Sequence, residues 1–127
     1  MVNMRDQRLW TWHVGAGVVI LVFLGLHMAI MHIDTVLGLF NRPGTEAIDW
    51  SNVVDRAQSA FFMVTYVVLL GAALFHGLYG LRNILFELDP GAGLKKGLGV
   101  LLTVVGVGLF GLGTWAAWAS FGLARAL

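Results

Sequence analysis

Three apolar runs constrain this chain more than any other feature. They cover residues 10–33, 58–82 and 98–121, and about 20 apolar residues are enough for a helix to cross the hydrocarbon core of a bilayer. A chain of 127 residues that is 58% hydrophobic and 12% charged has too little polar surface to cover its apolar side chains in water. The sequence therefore predicts an all-α membrane protein with three transmembrane helices, in a single domain over residues 1–127.

The charges between the runs predict an orientation. Residues 1–9 are polar, and the run after them is too long for the apolar region of a signal peptide, so we expect a span there rather than a cleaved signal. Basic residues mark the N-terminal segment and the second loop: Arg5, Arg8, Arg82, Lys95 and Lys96. The first loop is mainly acidic, with Asp34, Glu46, Asp49 and Asp55 against Arg42 and Arg56. The positive-inside rule then predicts a cytoplasmic N-terminus.

Local signals mark the ends of the helices. Pro43-Gly44 indicates a turn in the first loop, and Asp89-Pro90-Gly91 is expected to end the second helix. Ser51 or Asn52 is expected to cap a short amphipathic helix that leads into the second span.

Small residues recur along the third run. Ala92, Gly99, Gly106, Gly113 and Ser120 are spaced by seven residues, which places them on one helix face. Such a seam lets another helix approach closely. A channel for a ligand is the alternative, but packing is the commoner use of small residues in membranes.

The composition excludes several kinds of chemistry. Cysteine is absent, which rules out disulfides, cysteine-ligated iron–sulfur clusters and covalently attached haem in this chain. No nucleophile–base pair, phosphate loop or zinc-ligand spacing is present, so no catalytic residue is predicted. The net charge of +1 and the scattered basic residues give no sign of a nucleic-acid surface.

His76 is the strongest candidate for a functional residue, because ionisable side chains inside a membrane are costly and usually functional. It lies about 9 Å inside the cytoplasmic end of the second span, six residues before Arg82. Ala72 and Gly80 share its helix face, which leaves room for a flat ligand such as haem, with His76 as an iron ligand. The alternative is a histidine that forms a hydrogen bond between helices.

The other histidines differ in depth and direction. His13 and His27 lie about 40° apart on one face of the first span, while His32 lies about 140° from His27. His27 is expected about 15 Å deeper than His76, so one metal cannot bind both, although two stacked cofactors could each take one. His13 is expected at the cytoplasmic interface, near a haem propionate, a quinone or lipid headgroups. No second histidine is expected at the depth of His76.

Two further residues complete the candidate set. Arg82 lies at the membrane edge, where it could pair with a haem propionate or anchor the helix by extending its charge to the interface. Gly80 leaves space beside His76. The predicted metal ligands are His76 and His27, and the predicted cofactor-binding residues are His76, His27, His13, Arg82 and Gly80.

These residues resemble a known pattern. His76 is followed by Gly80, Arg82 and Glu87, and Gly17 precedes His27 by ten apolar-rich residues. Residues 10–89 resemble in this way the cytochrome b membrane anchor subunits of succinate dehydrogenase and fumarate reductase, of the small three-helix type. The resemblance implies that His76 binds the haem b nearer the iron–sulfur subunit, that His27 binds a farther haem, and that His13 lies near propionate and quinone.

The resemblance also implies a place for the chain in a larger complex. It predicts an electron-transferring, non-catalytic subunit of a succinate:quinone oxidoreductase in a prokaryotic cell membrane. The implied partners are a second membrane anchor subunit, an iron–sulfur subunit and a flavoprotein subunit. The implied cofactors are one or two haem b groups and a quinone, with menaquinone favoured because two-haem relatives often use it.

The sequence departs from the family pattern at two positions, and two alternative functions are open. Val14 and Leu88 replace an arginine and a tyrosine that are usual in the pattern, which leaves open a quinone site on the partner chain or at the outer side. The chain could instead be the cytochrome b subunit of another quinone-linked complex, or a haem-free anchor or assembly subunit.

Overall fold

The computed structural model describes residues 4–33 and 44–126, and most of these residues are helical. No β-strand occurs within those ranges. The helices are α1 (Met4–Met28), which continues as a π-helical segment (Ala29–Ile33), then α2 (Trp50–Ala57), α3 (Ala60–Glu87) and α4 (Ala92–Ala124).

Three helices are long and apolar enough to cross a membrane. They comprise Gln7–Ile33, Ala60–Glu87 and Ala92–Ala124. The predicted fold class, an all-α multi-pass membrane protein with three spans, is therefore confirmed. The cytoplasmic N-terminus remains a prediction, and Asp34, Arg42 and Pro43, which entered the orientation and turn predictions, lie outside the described residues.

The helices extend beyond the apolar runs that predicted them. α4 has 33 residues, or about 50 Å, so it is longer than the roughly 30 Å hydrocarbon core. The apolar composition marks only the part of a helix that lies in lipid, while the helix continues through the interface. α3 ends at Glu87, and Asp89 follows with a backbone φ of 48°. The predicted stop at Asp89-Pro90-Gly91 is confirmed.

α3 is the central element of the fold. It packs against α1 on one side and α4 on the other, while α1 and α4 do not pack against each other in the described ranges. α2 lies across one end, against α3 and α4. At that end the Gln58 side chain donates a hydrogen bond of 2.7 Å to the Ala124 carbonyl, which ties the start of α3 to the end of α4.

The spans bury little of their own surface. No side chain of α3 is fully buried, and many large apolar side chains of the three spans are exposed. Close contact between α3 and α4 depends on two glycines of the predicted seam: Gly106 lies against Leu78, and Gly113 lies against Leu70. The packing interpretation is confirmed at these two positions. Gly99 belongs to an open part of the same groove.

The start of α2 differs from the sequence prediction. The helix begins at Trp50 with Asp49 in the cap position, so neither Ser51 nor Asn52 caps it. Asn52 lies inside the helix, is 2% exposed and donates from Nδ2 to Thr45 Oγ1 and to the Glu46 carbonyl, both at 2.7 Å. Asparagine can hydrogen-bond to nearby backbone as well as cap a helix, and here it binds the preceding loop.

Replacing Asn52 by alanine is expected to release residues 44–49 from α2. The loss of a buried hydrogen-bonding side chain costs about 1–3 kcal/mol, so we expect amide hydrogen exchange across residues 44–49 to accelerate. Ser51→Ala, at a half-buried neighbouring position, is the control and should leave exchange unchanged. Equal exchange in the two variants would contradict the structural role of Asn52.

Candidate functional site

Two histidines from different spans meet between α1 and α3. The rings of His13 and His76 are stacked, with centroids 4.1 Å apart and planes inclined by 8°. The Nδ1 atom of His76 lies 3.0 Å from the backbone carbonyl oxygen of His13. Because a carbonyl only accepts, Nδ1 carries the proton in this contact, and the lone pair of the His76 ring is on Nε2.

Two glycines make room for this pair. A Cβ atom on Gly17 would lie 3.1 Å from His76 Cε1, and one on Gly80 would lie 3.3 Å from His13 Cε1. Each histidine therefore packs against a glycine of the opposite helix. Since both distances are below ordinary van der Waals contact, a larger residue at either position would displace a ring.

The structure corrects two expectations about this region. His13 lies at the depth of His76, whereas the sequence predicted no second histidine there. The first apolar run begins at residue 10, but α1 extends to Met4, and this extension places His13 further from the helix end. The space at Gly80 is occupied by the His13 ring, while Gly77 has no atom from another part of the described chain within 4 Å of a built Cβ.

His13 also has an unsatisfied polar atom. Its Nδ1 is buried and has no hydrogen-bond partner in the described part of the chain. Buried polar atoms are nearly always paired with protein, water or a ligand, so the partner of this nitrogen would be water, a ligand or a group outside residues 4–33 and 44–126. Within residues 4–33 and 44–126, no three His, Asp or Glu side chains converge as a metal site.

Tyr79 is a neighbour that the sequence did not single out. Its ring centroid lies 5.3 Å from that of His13 and 5.6 Å from that of Phe75, with which it is stacked. Its position three residues after His76 places it on an adjoining face of α3. This spacing is the sequence signal that could have identified Tyr79 as a neighbour of the histidines. Tyr79 also lines the groove between α3 and α4, so it separates the histidine pair from that groove.

Arg82 lies on the α4 side of α3 rather than beside the histidines. Arg82 is six residues from His76, so the two side chains lie about 120° apart around the helix axis. Its guanidinium carbon is 4.2 Å from the centroid of the Phe86 ring, and Nη1 reaches Asn83 Oδ1 only at 3.4 Å. The structure therefore does not bring Arg82 together with His76.

An open apolar groove lies between α3 and α4 near Tyr79 and Arg82. Its cavity volume is about 470 Å³, within the 300 to 1,000 Å³ typical of ligand sites. The lining residues are Gly71, Leu74, Phe75, Leu78, Tyr79, Arg82, Gly99, Leu102, Thr103, Gly106, Val107 and Phe110.

A basic mouth opens at the end of the groove near the α3–α4 turn. Arg82, Lys95 and Lys96 line it. The Lys95 ammonium forms an ion pair of 2.8 Å with Asp89, and this hydrogen bond, together with the lysine charge, lowers the pKa of the Asp89 carboxyl.

His27 and His32 lie at the other end of α1. His27 is fourteen residues beyond His13, or about 21 Å along the helix, which is further from His76 than the predicted 15 Å. His27 lines a cavity of about 220 Å³ together with Arg56, Thr65 and Tyr66. This volume is below that of most ligand sites. His32 is exposed in the π-helical segment.

Replacing Gly17 by alanine is expected to displace the His76 ring. The new methyl group would approach both Cε1 and Nδ1 of His76, at 3.1 Å and 3.3 Å, and overpacking of this kind usually costs about 1–3 kcal/mol. We expect a lower thermal unfolding midpoint than for Gly15→Ala, where a built Cβ has no neighbour within 4 Å. Equal midpoints would show that the pair tolerates the shift.

The fold and the site define a class of protein: a small multi-pass membrane protein with a histidine pair between its first and central spans. Comparison with curated sequences gives the particular relationship. The chain is 26% identical over 89 residues to the succinate dehydrogenase hydrophobic membrane anchor subunit of Thermoplasma acidophilum. It is 28% identical over 94 residues to the protein of that name from Archaeoglobus fulgidus.

These alignments cover 70% and 74% of this chain, and 66% and 71% of the two relatives, so the chain spans about two thirds of their length. The resemblance to succinate dehydrogenase membrane anchor subunits predicted from the sequence is confirmed. No protein-family model and no solved structure matches the chain.

Proposed function

We propose that the chain is a membrane anchor subunit of a succinate:quinone oxidoreductase. The support is its three apolar helices and its relationship to two succinate dehydrogenase membrane anchor subunits. Succinate and fumarate are interconverted on a flavoprotein subunit, and electrons pass through an iron–sulfur subunit to quinone in a prokaryotic cell membrane. This chain performs no bond chemistry on succinate. It contributes the docking surface, cofactor-binding residues and, with a second membrane subunit, the lipid-embedded part of the complex.

His76 is the proposed ligand of a haem b. Histidines that bind a metal almost always donate their other ring N–H to a carbonyl, a carboxylate or water. The contact between His76 Nδ1 and the His13 carbonyl satisfies this condition and leaves Nε2 for iron. This hydrogen bond is the observation that carries the haem assignment. A haem b supplies one-electron transfer between the iron–sulfur subunit and quinone.

His13 has a different proposed role beside the same haem. The His13 and His76 rings, stacked in parallel at 4.1 Å, would not both hold the same haem iron. A second ligand would then come from another membrane subunit. The buried Nδ1 of His13, which has no hydrogen-bond partner among the described residues, is proposed to bind a haem propionate or a quinone oxygen.

We also propose a second haem on His27. The separation of about 21 Å along α1 from His13 allows two cofactors, one toward each side of the membrane. The cavity at His27 holds only about 220 Å³, so a haem there needs space provided by the partner membrane subunit. Menaquinone is the proposed quinone if both haems are present.

A haem-free anchor is the second candidate function, and the stacking itself favours it. His13 and His76 fill the spaces left by Gly80 and Gly17, as side chains do in a plain interhelical contact. In this case the His76–His13 hydrogen bond serves only to hold α1 against α3, and electrons pass directly from the iron–sulfur subunit to quinone.

An absorbance spectrum of the purified complex separates these candidates. The proposal expects a b-type band that is reduced on addition of succinate. A complex that oxidises succinate but lacks the band is a haem-free anchor complex. A band that succinate does not reduce, although dithionite does, indicates another quinone-linked complex. The ratio of haem to protein then distinguishes one haem from two.

A further inference from the structure

We propose that the groove between α3 and α4 binds an anionic phospholipid, with an acyl chain in the cavity and the phosphate at its basic mouth. The cavity holds about 470 Å³, and half of its lining residues are leucine, valine or phenylalanine, including Leu74, Leu102 and Phe110. The lining runs along α3 from Gly71 to Arg82, which is about 16 Å, and an apolar groove of this length suits an acyl chain. The seam of small residues is in close contact with α3 at Gly106 and Gly113, whereas at Gly99, which lines the cavity, it is open.

The charge at the mouth selects the headgroup. Arg82, Lys95 and Lys96 line it, and the mouth and the cavity share Tyr79, Arg82, Gly99 and Thr103, so an acyl chain and its phosphate can occupy them together. Basic pockets between transmembrane helices bind anionic headgroups on the cytoplasmic side. The positive-inside rule predicts that this end of the bundle faces the cytoplasm.

The arginine is free to meet a phosphate. Its guanidinium packs on Phe86 and has only a 3.4 Å contact with Asn83, and no carboxylate of the described residues forms a salt bridge with it. Lys95 is held by Asp89, whose side chain is 91% exposed. Asp89 thus competes with a phosphate for Lys95 and weakens anion binding at the mouth.

The test uses the assembled complex with the full chain, in detergent, titrated with dioleoyl phosphatidylglycerol or with dioleoyl phosphatidylcholine. Native mass spectrometry counts the lipids retained. We expect phosphatidylglycerol to be retained preferentially. Arg82→Gln and Lys96→Gln should each weaken its binding about fivefold, the usual contribution of one basic residue near an anionic headgroup, and should leave phosphatidylcholine unaffected.

A variant that is expected to bind the lipid more tightly separates loss of the site from misfolding, because a misfolded protein would not gain affinity. Asp89 has a φ of 48°, a conformation that asparagine also tolerates, so Asp89→Asn removes the competing charge without straining the turn. Its phosphatidylglycerol affinity should rise about fivefold. Arg125→Gln is the matched control, because Arg125 also packs on a phenylalanine ring, Phe121, at the other end of α4, and it should change nothing.

Three results would overturn the proposal. They are equal retention of the two lipids, unchanged phosphatidylglycerol affinity in the Arg82, Lys96 and Asp89 variants, and a quinone or a helix of another subunit found in the groove. The proposal does not depend on haem, because His76 faces α1 on the other side of α3. A His76→Ala complex should keep its lipid affinity, so failure of the haem proposal and failure of the lipid proposal can be told apart.

Discussion

Replacing His76 by alanine is expected to remove a full equivalent of b-type haem from the assembled complex. The imidazole is the proposed iron ligand, its Nδ1 is held by the His13 carbonyl at 3.0 Å, and no other described side chain of α3 offers an imidazole at this depth. Alanine supplies no ligand. The haem-to-protein ratio, measured from the reduced-minus-oxidised spectrum, should fall, and electron transfer from succinate to the remaining haem should slow or cease.

Two controls separate loss of the ligand from loss of the fold. His76→Gln keeps an N–H donor for the His13 carbonyl but is not a usual ligand of haem iron, so it should lose haem as alanine does while the subunits still assemble. His32→Ala removes an exposed histidine from the π-helical segment and should keep full haem. Full haem content in both His76 variants would refute the ligand assignment and would mean that other residues hold the haem.

The number and nature of the spans were predictable from the sequence, because the constraint is simple. Backbone polar groups in lipid must be satisfied within the segment, so an apolar run of this length can only be helical. The helix ends were less predictable. The apolar run after Trp10 does not indicate that α1 begins at Met4, since the residues in between lie at the interface, where polar side chains and helix are compatible.

The pairing of His13 with His76 could not be predicted from the sequence. Angular positions within α1 follow from 100° per residue, and they place His13 and His27 on one face. The vertical alignment of α1 against α3 depends instead on which side chains interlock. Gly17 and Gly80 set this alignment, because each accepts the histidine of the other helix. A glycine within a span is too common to indicate its partner.

Arg82 shows that a short distance in sequence does not predict a shared contact. Its sequence distance from His76 suggested a shared cofactor, yet six residues of α-helix leave the two side chains about 120° apart around the helix axis. The rotation directs Arg82 into the groove with α4. Its proposed partner on this side of α3 is a phosphate, whereas a haem propionate would have to reach around Tyr79.

Replacing Gly113 by leucine is expected to separate α3 from α4. After the loss of haem in His76→Ala, this is the second large effect that we expect. A Cβ at this position would overlap Leu70 Cδ2 and would lie 3.6 Å from both Cγ and Cδ1 of Leu70. Rotation of Leu70 could admit a methyl group but not a whole isobutyl side chain. Overpacking typically costs about 1–3 kcal/mol, and occasionally more. Close packing has added weight between membrane helices, where lipid provides no hydrophobic driving force for association.

The expected result is a lower thermal unfolding midpoint and less assembled complex. Gly111→Leu is the matched control on the same helix, because a Cβ there has no neighbour within 4 Å, and it should be nearly neutral. Shortening the opposing side chain in the double variant Gly113→Leu/Leu70→Ala should restore part of the midpoint, since residues in contact show coupled effects. If Leu70→Ala gives no rescue and Gly111→Leu is as damaging as Gly113→Leu, the seam does not hold α3 against α4, and the small residues of α4 face lipid or another subunit instead.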